Sequence, residues 1–415
     1  MENGLSWSRE VLSNGLTVLQ YRRPSALTAQ LSVAMKYGSN EDPDEASGKA
    51  HFLEHMIVGG SKTRIKLHHE IEKIGGCSGF ETSAECTFTT IDVFPDRIAD
   101  ASRILAGLLY DSEFEDEKGE LERKVIFNEI AEAADSPHDK IAETLIKCLF
   151  KKHPIRNPVL GTKKTVKQLT IKDLESAHSR YYIPKNMIVT LTGKFTKKDL
   201  EAVLFDFQSV EKQSLTQKRD PEMEEGKPKK QAKLTRSGIN QAYLCFGLRT
   251  PPAKDPDAVT LDLINAVLGL GESSRLFVEL REKRALTYDF NSMNISGLDH
   301  GFFTIACAVQ PKHLQLAQSI IKKELWKITN NLVTTDELEK SKNVVVGDIM
   351  RAMDNPHELP RLITDTEIVY GNQEGLSDYV CNLKKLTSQD ILVTANKYFK
   401  EENYSTVTLA PKYEK

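Results

Sequence analysis

LTIKDLESAHSRYYIPKN, residues 169–186, returns as LTSQDILVTANKYFKEEN, residues 386–403, with Leu, Thr, Asp, Tyr and Asn in register at an offset of 217. Two other segments repeat in the same order. AQLSVAMKYGSNEDPDEASGKAHFLEH (29–55) runs from an alternating strand through Asp42-Pro43-Asp44 into a helix. QAYLCFGLRTPPAKDPDAVTLDLINAVL (241–268) does the same through Asp255-Pro256-Asp257, at an offset of 213. DSPHD (135–139) recurs as DNPHE (354–358), offset 219. Three matches in order at nearly one offset predict two copies of one fold. Each copy reads strand, helix, strands, long helix, then a final helix and strand. That pattern predicts an α+β layer architecture, an antiparallel-rich sheet packed with helices, built twice.

At 415 residues the chain exceeds one ordinary core and is expected to form two domains of roughly 200 residues each. SLTQKRDPEMEEGKPKKQAKLTRSG is charged and poor in large apolar residues, so it reads as a solvated linker at about 213–236. It separates a first domain, 1–212, from a second, 237–415. Hydrophobic content of 40% and charge of 28% describe a soluble globular protein. The 56 basic and 59 acidic side chains give a net charge of −3, which offers nucleic acid no electrostatic attraction. No stretch approaches the ~20 apolar residues needed to span a bilayer. MENGLSWSREVLSNGLTVLQ has neither a basic region ahead of an apolar run nor an Arg/Ser-rich presequence. Cys77, Cys86, Cys148, Cys245, Cys307 and Cys381 are scattered without a CxxC pair and read as reduced thiols. These features lead to the expectation of a cytoplasmic protein.

In the first copy, GKAHFLEHM places His51, Glu54 and His55 within five residues of an apolar segment. On a helix His51 and His55 are i and i+4 neighbours on one face. Two imidazoles so placed can grip a divalent metal, and the carboxylate beside them can take a proton from an activated water. The order H-x-x-E-H is that of the inverted zincins. A chain with ten histidines shows the pattern by chance on the order of a per cent of the time, so it requires support from elsewhere. A catalytic zinc takes three protein ligands and keeps one position open. GELERKVIFNEIAEAA offers Glu122 and Glu129, a heptad apart on one helix face, as third ligand and supporting group. At offset 213 the positions of His51, Glu54 and His55 hold Ile264, Val267 and Leu268, so the second copy has no such site.

With these motifs the chain resembles the pitrilysin family of zinc metallopeptidases, which includes insulin-degrading enzyme and the mitochondrial processing peptidases. It is most similar to the family's short bacterial and archaeal members. HFLEH resembles the metal-binding helix, and ERKVIFNE the second metal segment, with 74 residues from His55 to Glu129. HPIRNPVLGT (153–162) and YYIPKNM (181–187) resemble stretches that end the first domain. RLFVELREKRALTYDF resembles a segment carrying a substrate-binding Arg and Tyr seven residues apart, here Arg281 and Tyr288. The resemblance implies one Zn2+ per chain held by His51, His55 and Glu129, with Glu122 as the nearby second acidic residue and Glu54 as general base. It also implies two halves facing each other across a cavity, and a homodimer or a heterodimer with a related subunit.

The family's substrate-holding strand carries Gly-Gly, two residues, then Asn-Ala-x-Thr. Here GGCSGFETSAECTFTT keeps Gly75, Gly76, Thr82 and Thr87 but puts Gly79 and Phe80 in place of Asn and Ala. The leading expectation is a zinc endopeptidase acting on peptides or unfolded segments inside a closed chamber, with a processing role open to it. The alternative is a non-catalytic binding or assembly subunit of the same fold. Other features read as structural. His138 and His357 occupy matching places in both copies, as turn residues would. Gly269 and Gly271 follow a helical LDLINAVL and mark its end, not a nucleotide loop. His68 and His69 belong to a solvated helix face.

Overall fold

The repeated capping signal shapes both copies alike. Thr170 and Thr387 each open a helix, Ile171–Tyr181 and Ser388–Tyr398. In each, the threonine hydroxyl accepts the N–H of the aspartate three residues on, and that carboxylate accepts the threonine's N–H in return. Past each helix the matched asparagine amide, Asn186 or Asn403, donates to the carbonyl of Tyr181 or Tyr398 at 3.0 and 3.1 Å. The chain then turns into a central strand of its sheet.

The computed structural model describes residues 7–111, 113–208, 224 and 226–412. The first repeat forms β1 (Ser8–Val11), β2 (Thr17–Arg22), β3 (Ala29–Met35), α1 (Lys49–Gly59), α2 (Lys62–Lys73), β4 (Cys77–Thr82) and β5 (Thr87–Val93). It continues with α3 (Ile98–Tyr110), α4 (Asp116–Asp135), α5 (Pro137–Leu149), α6 (Lys163–Gln168), α7 (Ile171–Tyr181), β6 (Met187–Gly193) and α8 (Lys197–Gln208). The second forms β7 (Gln231–Arg236), β8 (Ala242–Arg249), α9 (Asp257–Leu268), α10 (Arg275–Phe277), β9 (Phe290–Ser296) and β10 (Gly301–Val309). It ends with α11 (Leu314–Asn330), α12 (Thr335–Asp354), α13 (Leu359–Tyr370), α14 (Gly375–Lys385), α15 (Ser388–Tyr398) and β11 (Ser405–Pro411). The sheets run β1-β2-β6-β3-β5-β4 and β7-β11-β8-β10-β9. β2 with β6, and β7 with β11, are parallel; every other pair is antiparallel. The α+β architecture built twice is therefore what the chain adopts.

The segment expected as a linker differs at its end. Residues 213–223 and 225 lie outside the described residues, but Gln231–Arg236 is a strand pairing with β11. QAKLTR alternates, so Ala232 and Leu234 turn onto the apolar cluster holding Val407 and Leu409 while Gln231, Lys233 and Thr235 face solvent. Charge density hid a period of two.

The chain divides into two compact units that do not follow the sequential halves. One gathers residues within 1–132, 157–220 and 352–376; the other gathers 133–156, 221–351 and 377–415. The repeated D-S/N-P-H-D/E motifs sit at the crossings: α5 belongs with the second sheet and α13 with the first. Ser136 caps α5 through the N–H of Asp139, and Asn355 accepts the N–H of His357 ahead of α13. In the first unit β3 and β6 alternate sharply. Leu31, Val33, Val189 and Leu191 join a core with α1, α3 and α7, and Ser32, Thr190 and Thr192 turn to the α13 face. There Ser32 bonds Thr90 at 2.9 Å and Thr190 meets Thr364 of α13 at 2.8 Å. In the second unit α5 buries Ile141, Leu145 and Leu149, with Phe150 beyond it, against Cys245, Phe302, Val407 and Leu409.

The exchange has a measurable consequence. Each of those four large side chains is worth about 1.5–3 kcal/mol when buried, together the order of a domain's whole net stability. Residues 1–212 expressed alone would expose that face and lack α13. The fragment is expected in the insoluble fraction, and co-expression with 213–415 should return it to the soluble fraction. A soluble, cooperatively unfolding 1–212 would refute the interdependence.

Candidate metal centre

Several buried polar anchors set α1. Asp42 Oδ2 accepts the N–H of Ala50 at 3.0 Å in the first turn, and Oδ1 accepts the Tyr37 hydroxyl at 2.8 Å. Burial raises the Asp42 carboxyl to about 6 in spite of these bonds. At the other end the fully buried Arg64 donates to the carbonyls of Ile57, Leu108 and Asp111 and lies over the Phe114 ring at 4.7 Å. α4 is rooted by Arg123, which donates to the carbonyls of Val166 and Leu169. Gly59 ends α1 beside α4, and a Cβ there would stand 2.3 Å from Oε1 of Glu122. The missing side chain is what lets the two helices meet.

Between α1 and α4, His51 Nε2 lies 3.6 Å from Oε2 of Glu129, and His55 Nε2 lies 3.5 Å from Oε1 of the same carboxylate. These separations exceed the usual range for N–H···O bonds. They match a different geometry: zinc bonds of ~2.0–2.1 Å at the tetrahedral angle put neighbouring ligand atoms ~3.3 Å apart. His51, His55 and Glu129 form one of two groups among the described residues whose ligand atoms all lie within 4.8 Å of one another. His55 Nδ1 is 3.0 Å from Glu122 Oε2, so that ring donates backwards and points a lone pair at Glu129. His51 Nδ1 is buried with no hydrogen-bond partner among the described residues. The donor set therefore fits a divalent cation.

The electrostatics agree. Burial, then the charge of His55, depresses His51 to about 4. Burial would depress His55 too, but the bond to Glu122 and the charges of Glu129, Glu54 and Glu122 outweigh it and raise its pKa. Burial also raises Glu54, against the hydroxyl of Thr82 and the charge of His55. A neutral His51 keeps one ring nitrogen's lone pair free for a cation, and a raised carboxyl is a stronger base. Glu54 stands outside the ligand group. Its Oε2 accepts the hydroxyl of Thr82 at 2.7 Å, which ties it to β4, the outermost strand of the sheet.

Arg281 and Tyr288 lie in the second unit. Arg281 sits on a π turn, Val278–Glu282, and its guanidinium is 4.5 Å from the Tyr288 ring centre and 5.0 Å from that of Phe277. Tyr288 is 83% exposed, unusual for a tyrosine with a structural role. Phe80 packs beside the first core, its ring 6.3 Å from that of His68, whereas Gly79 is exposed on the opposite face of β4. His69 is exposed on α2, and Gly269 caps α9. His138 bonds Asp289 at 2.9 Å, and His357 lies 4.0 Å from Asp92. All six cysteines are free, and no described helix is long and apolar enough to cross a membrane.

The second group of metal-type ligands is His153, Asp299 and His300. The N–H of Ile155 donates to His153 Nδ1 at 3.1 Å, which leaves the ring proton on Nε2, facing Asp299 at 2.9 Å. The nitrogen a cation would need is already a donor, so this trio is an internal clasp. Among the contributors at the first group, Gly59, Arg64 and the Thr82–Glu54 bond left no local signal in the sequence, whereas Asp42 showed only as part of the repeated Asp-Pro-Asp segment. Each acts through a neighbour that only the fold supplies.

Comparison with known proteins gives two family matches. Residues 17–163 match the model described as Insulinase (Peptidase family M16), and residues 168–345 match that described as Peptidase M16 inactive domain. The chain is 26% identical to an uncharacterized zinc protease, YmxG, of Bacillus subtilis, over 97% of this chain and 98% of the relative. It is 28% identical to an uncharacterized zinc protease of Rickettsia bellii over 95% and 96%. Among solved structures, a protease from Helicobacter pylori superimposes with a TM-score of 0.90 at 26% identity, covering 98% of this chain and 99% of that one.

Proposed function

We propose, from the premise that this chain belongs to the peptidase M16 family, that it is a zinc endopeptidase acting on peptides or unfolded segments. One observation carries the reading: His51, His55 and Glu129 converge with lone pairs toward one point while Glu54, outside that group, is aimed by a hydroxyl from the edge strand β4. Zinc, when bound, supplies a Lewis acid that makes water a nucleophile near neutral pH and polarises the scissile carbonyl. His51, His55 and Glu129 hold the ion, and Glu122 fixes the tautomer of His55. Glu54 takes the proton from the attacking water and returns it to the leaving amine. Thr82 holds that carboxylate in place. The free edge of β4 takes the peptide as an added strand, where main-chain bonds tolerate many sequences. Arg281 and Tyr288 hold substrate and stabilise the oxyanion.

The reading includes a homodimer, or a heterodimer with a related subunit, and a reducing cytoplasmic setting in keeping with six free thiols. The purified protein is expected to contain close to one zinc per chain and to hydrolyse unstructured peptides in preference to folded proteins. Chelation should stop hydrolysis, and zinc should restore it. Arg281→Ala and Tyr288→Phe should keep the zinc and lower kcat/KM by ~10-fold or more. Stoichiometric zinc without hydrolysis of any peptide would favour the non-catalytic subunit instead.

A further inference from the structure

β4 alternates, and its two faces have different tasks. Thr82 and Phe80 turn toward α1 and the core, while Gly79 and Glu81 turn toward α13. On that second face lies a hollow of about 550 Å3 bordered by Gly79, Glu81, Phe88, Arg361, Glu358 and Asp365. Arg361 Nε lies 2.9 Å from both Asp365 oxygens, its guanidinium is 5.2 Å from the Phe88 ring centre, and Nη1 reaches Glu81 at 3.3 Å. Two carboxylates thus hold one guanidinium, and Glu358, which accepts the Asn355 amide at 2.6 Å, adds a third carboxylate to the lining, leaving the hollow net negative. Gly79 is not glycine for backbone reasons. Its φ is not positive, and an added Cβ would meet only Thr90 Cγ2, at an ordinary 3.4 Å. What its missing side chain does is leave the mouth of the hollow open.

The second repeat supplies an internal control. β3 and β8 correspond at offset 213, pairing Ala29 with Val93 and Ala242 with Val309. Counting along β5 and β10 from those pairs, Gly79 opposite Thr90 corresponds to Asn291 opposite Ala306, and Glu81 opposite Phe88 to Met293 opposite Thr304. Registering α13 on α5 through His357 and His138 matches Arg361 with Ala142 and Asp365 with Ile146. A hollow exists there too, about 350 Å3, lined by Met293, Ala142, Ile146 and Asn291. The same architecture therefore stands without counterparts of Glu81, Arg361 and Asp365, although Asp139, which matches Glu358, lines that hollow together with His138 and Asp289. Glu81, Arg361 and Asp365 are not the cost of seating an exchanged helix on a sheet.

We propose that the hollow beside Gly79 is a specificity pocket for a lysine or arginine side chain of the peptide, selected by Glu81 and Asp365. The inference rests on the reading of β4 as the strand that takes the substrate. Side chains of an added strand alternate between faces. The one entering the hollow therefore shares a parity with Glu81, one strand position from the Thr82 that holds Glu54. Arg361 lies between the two carboxylates, stacked on Phe88, and keeps them apart and oriented. A long basic side chain entering past Gly79 completes the charge balance with charge-assisted hydrogen bonds.

The test uses the full-length, zinc-loaded protein and quenched-fluorescence peptides of fixed length. Alanine is replaced by Lys, Arg, Glu or Phe at one position at a time, and the readout is the ratio of kcat/KM to that of the alanine peptide. The wild type should favour Lys and Arg by about tenfold, the size of one such hydrogen bond, at one position and not at its immediate neighbours. Glu81→Lys should turn the preference at that position toward Glu, and Gly79→Asn should reduce the Lys ratio by narrowing the mouth. A clip that merely fastens α13 would lower Tm in Glu81→Lys and leave the ratios alone, which would overturn the pocket. If the wild type hydrolyses no peptide, anisotropy of fluorescein-labelled Lys and Glu peptides decides separately. A Lys preference reversed by Glu81→Lys keeps the pocket and sinks the peptidase; equal binding sinks the pocket.

Discussion

Glu54→Gln is expected to retain its zinc and lose peptide hydrolysis by at least ~10²–10⁴-fold, the usual contribution of a positioned general base. The exchange preserves shape, and the amide oxygen can still accept the Thr82 hydroxyl that Glu54 accepts at 2.7 Å. What disappears is a carboxylate able to take a proton. Because Glu54 lies outside the group formed by His51, His55 and Glu129, metal content and catalysis should separate in this one variant. Elemental analysis and single-turnover hydrolysis on the same preparation would read both. Loss of zinc from Glu54→Gln, with zinc retained by Glu129→Gln, would show that the two carboxylates have exchanged roles.

The second large effect is on the metal itself. His55→Ala removes one of three ligands and also leaves Glu122 without the imidazole it holds at 3.0 Å. The protein should emerge from dialysis essentially free of zinc and inactive, with its far-ultraviolet circular dichroism unchanged, because α1 is anchored at its ends by Asp42 and Arg64. Glu122→Gln should be milder. It keeps three ligands and loses the supporting carboxylate, for an expected 10–100-fold weakening of zinc affinity in a competition assay. Stoichiometric zinc in His55→Ala would remove that residue from the site. An unaltered affinity in Glu122→Gln would make its contact with His55 incidental.

The polar layer under α13 and the charged hollow at its end give the exchanged helix two tasks in the first unit. It covers Ser32, Thr190 and Thr192 through bonds such as that of Thr364 to Thr190, and it brings Arg361 and Asp365 to the edge strand. α5, its counterpart, packs an apolar face on the second sheet. Two copies of one helix have thus diverged in chemistry while keeping one placement, as the two copies of the α1 position diverged between His51 and Ile264.

The sequence by itself determined what depends on neighbours along the chain. The i, i+4 spacing of His51 and His55 and the heptad between Glu122 and Glu129 are properties of a helix. The Thr-x-x-Asp caps at 170 and 387 are local hydrogen-bond signals, and the two-copy architecture follows from an offset that can be counted. The absence of metal-type residues at Ile264, Val267 and Leu268 was equally readable. Only the tertiary structure decided what depends on partners far away in the chain. Charge density disguised β7 as linker, because its alternation has meaning only beside β11. Nothing local marks Gly59 as the gap that admits Glu122, or Thr82 as the partner of Glu54. The departure at Gly79 and Phe80 was visible as letters, but the faces those residues occupy depend on the strand's pleat and on α13, which arrives some 280 positions later to set Arg361 against Glu81. Local periodicity carries the elements, and the long-range contacts that turn them into a site carry no signature until the chain has folded.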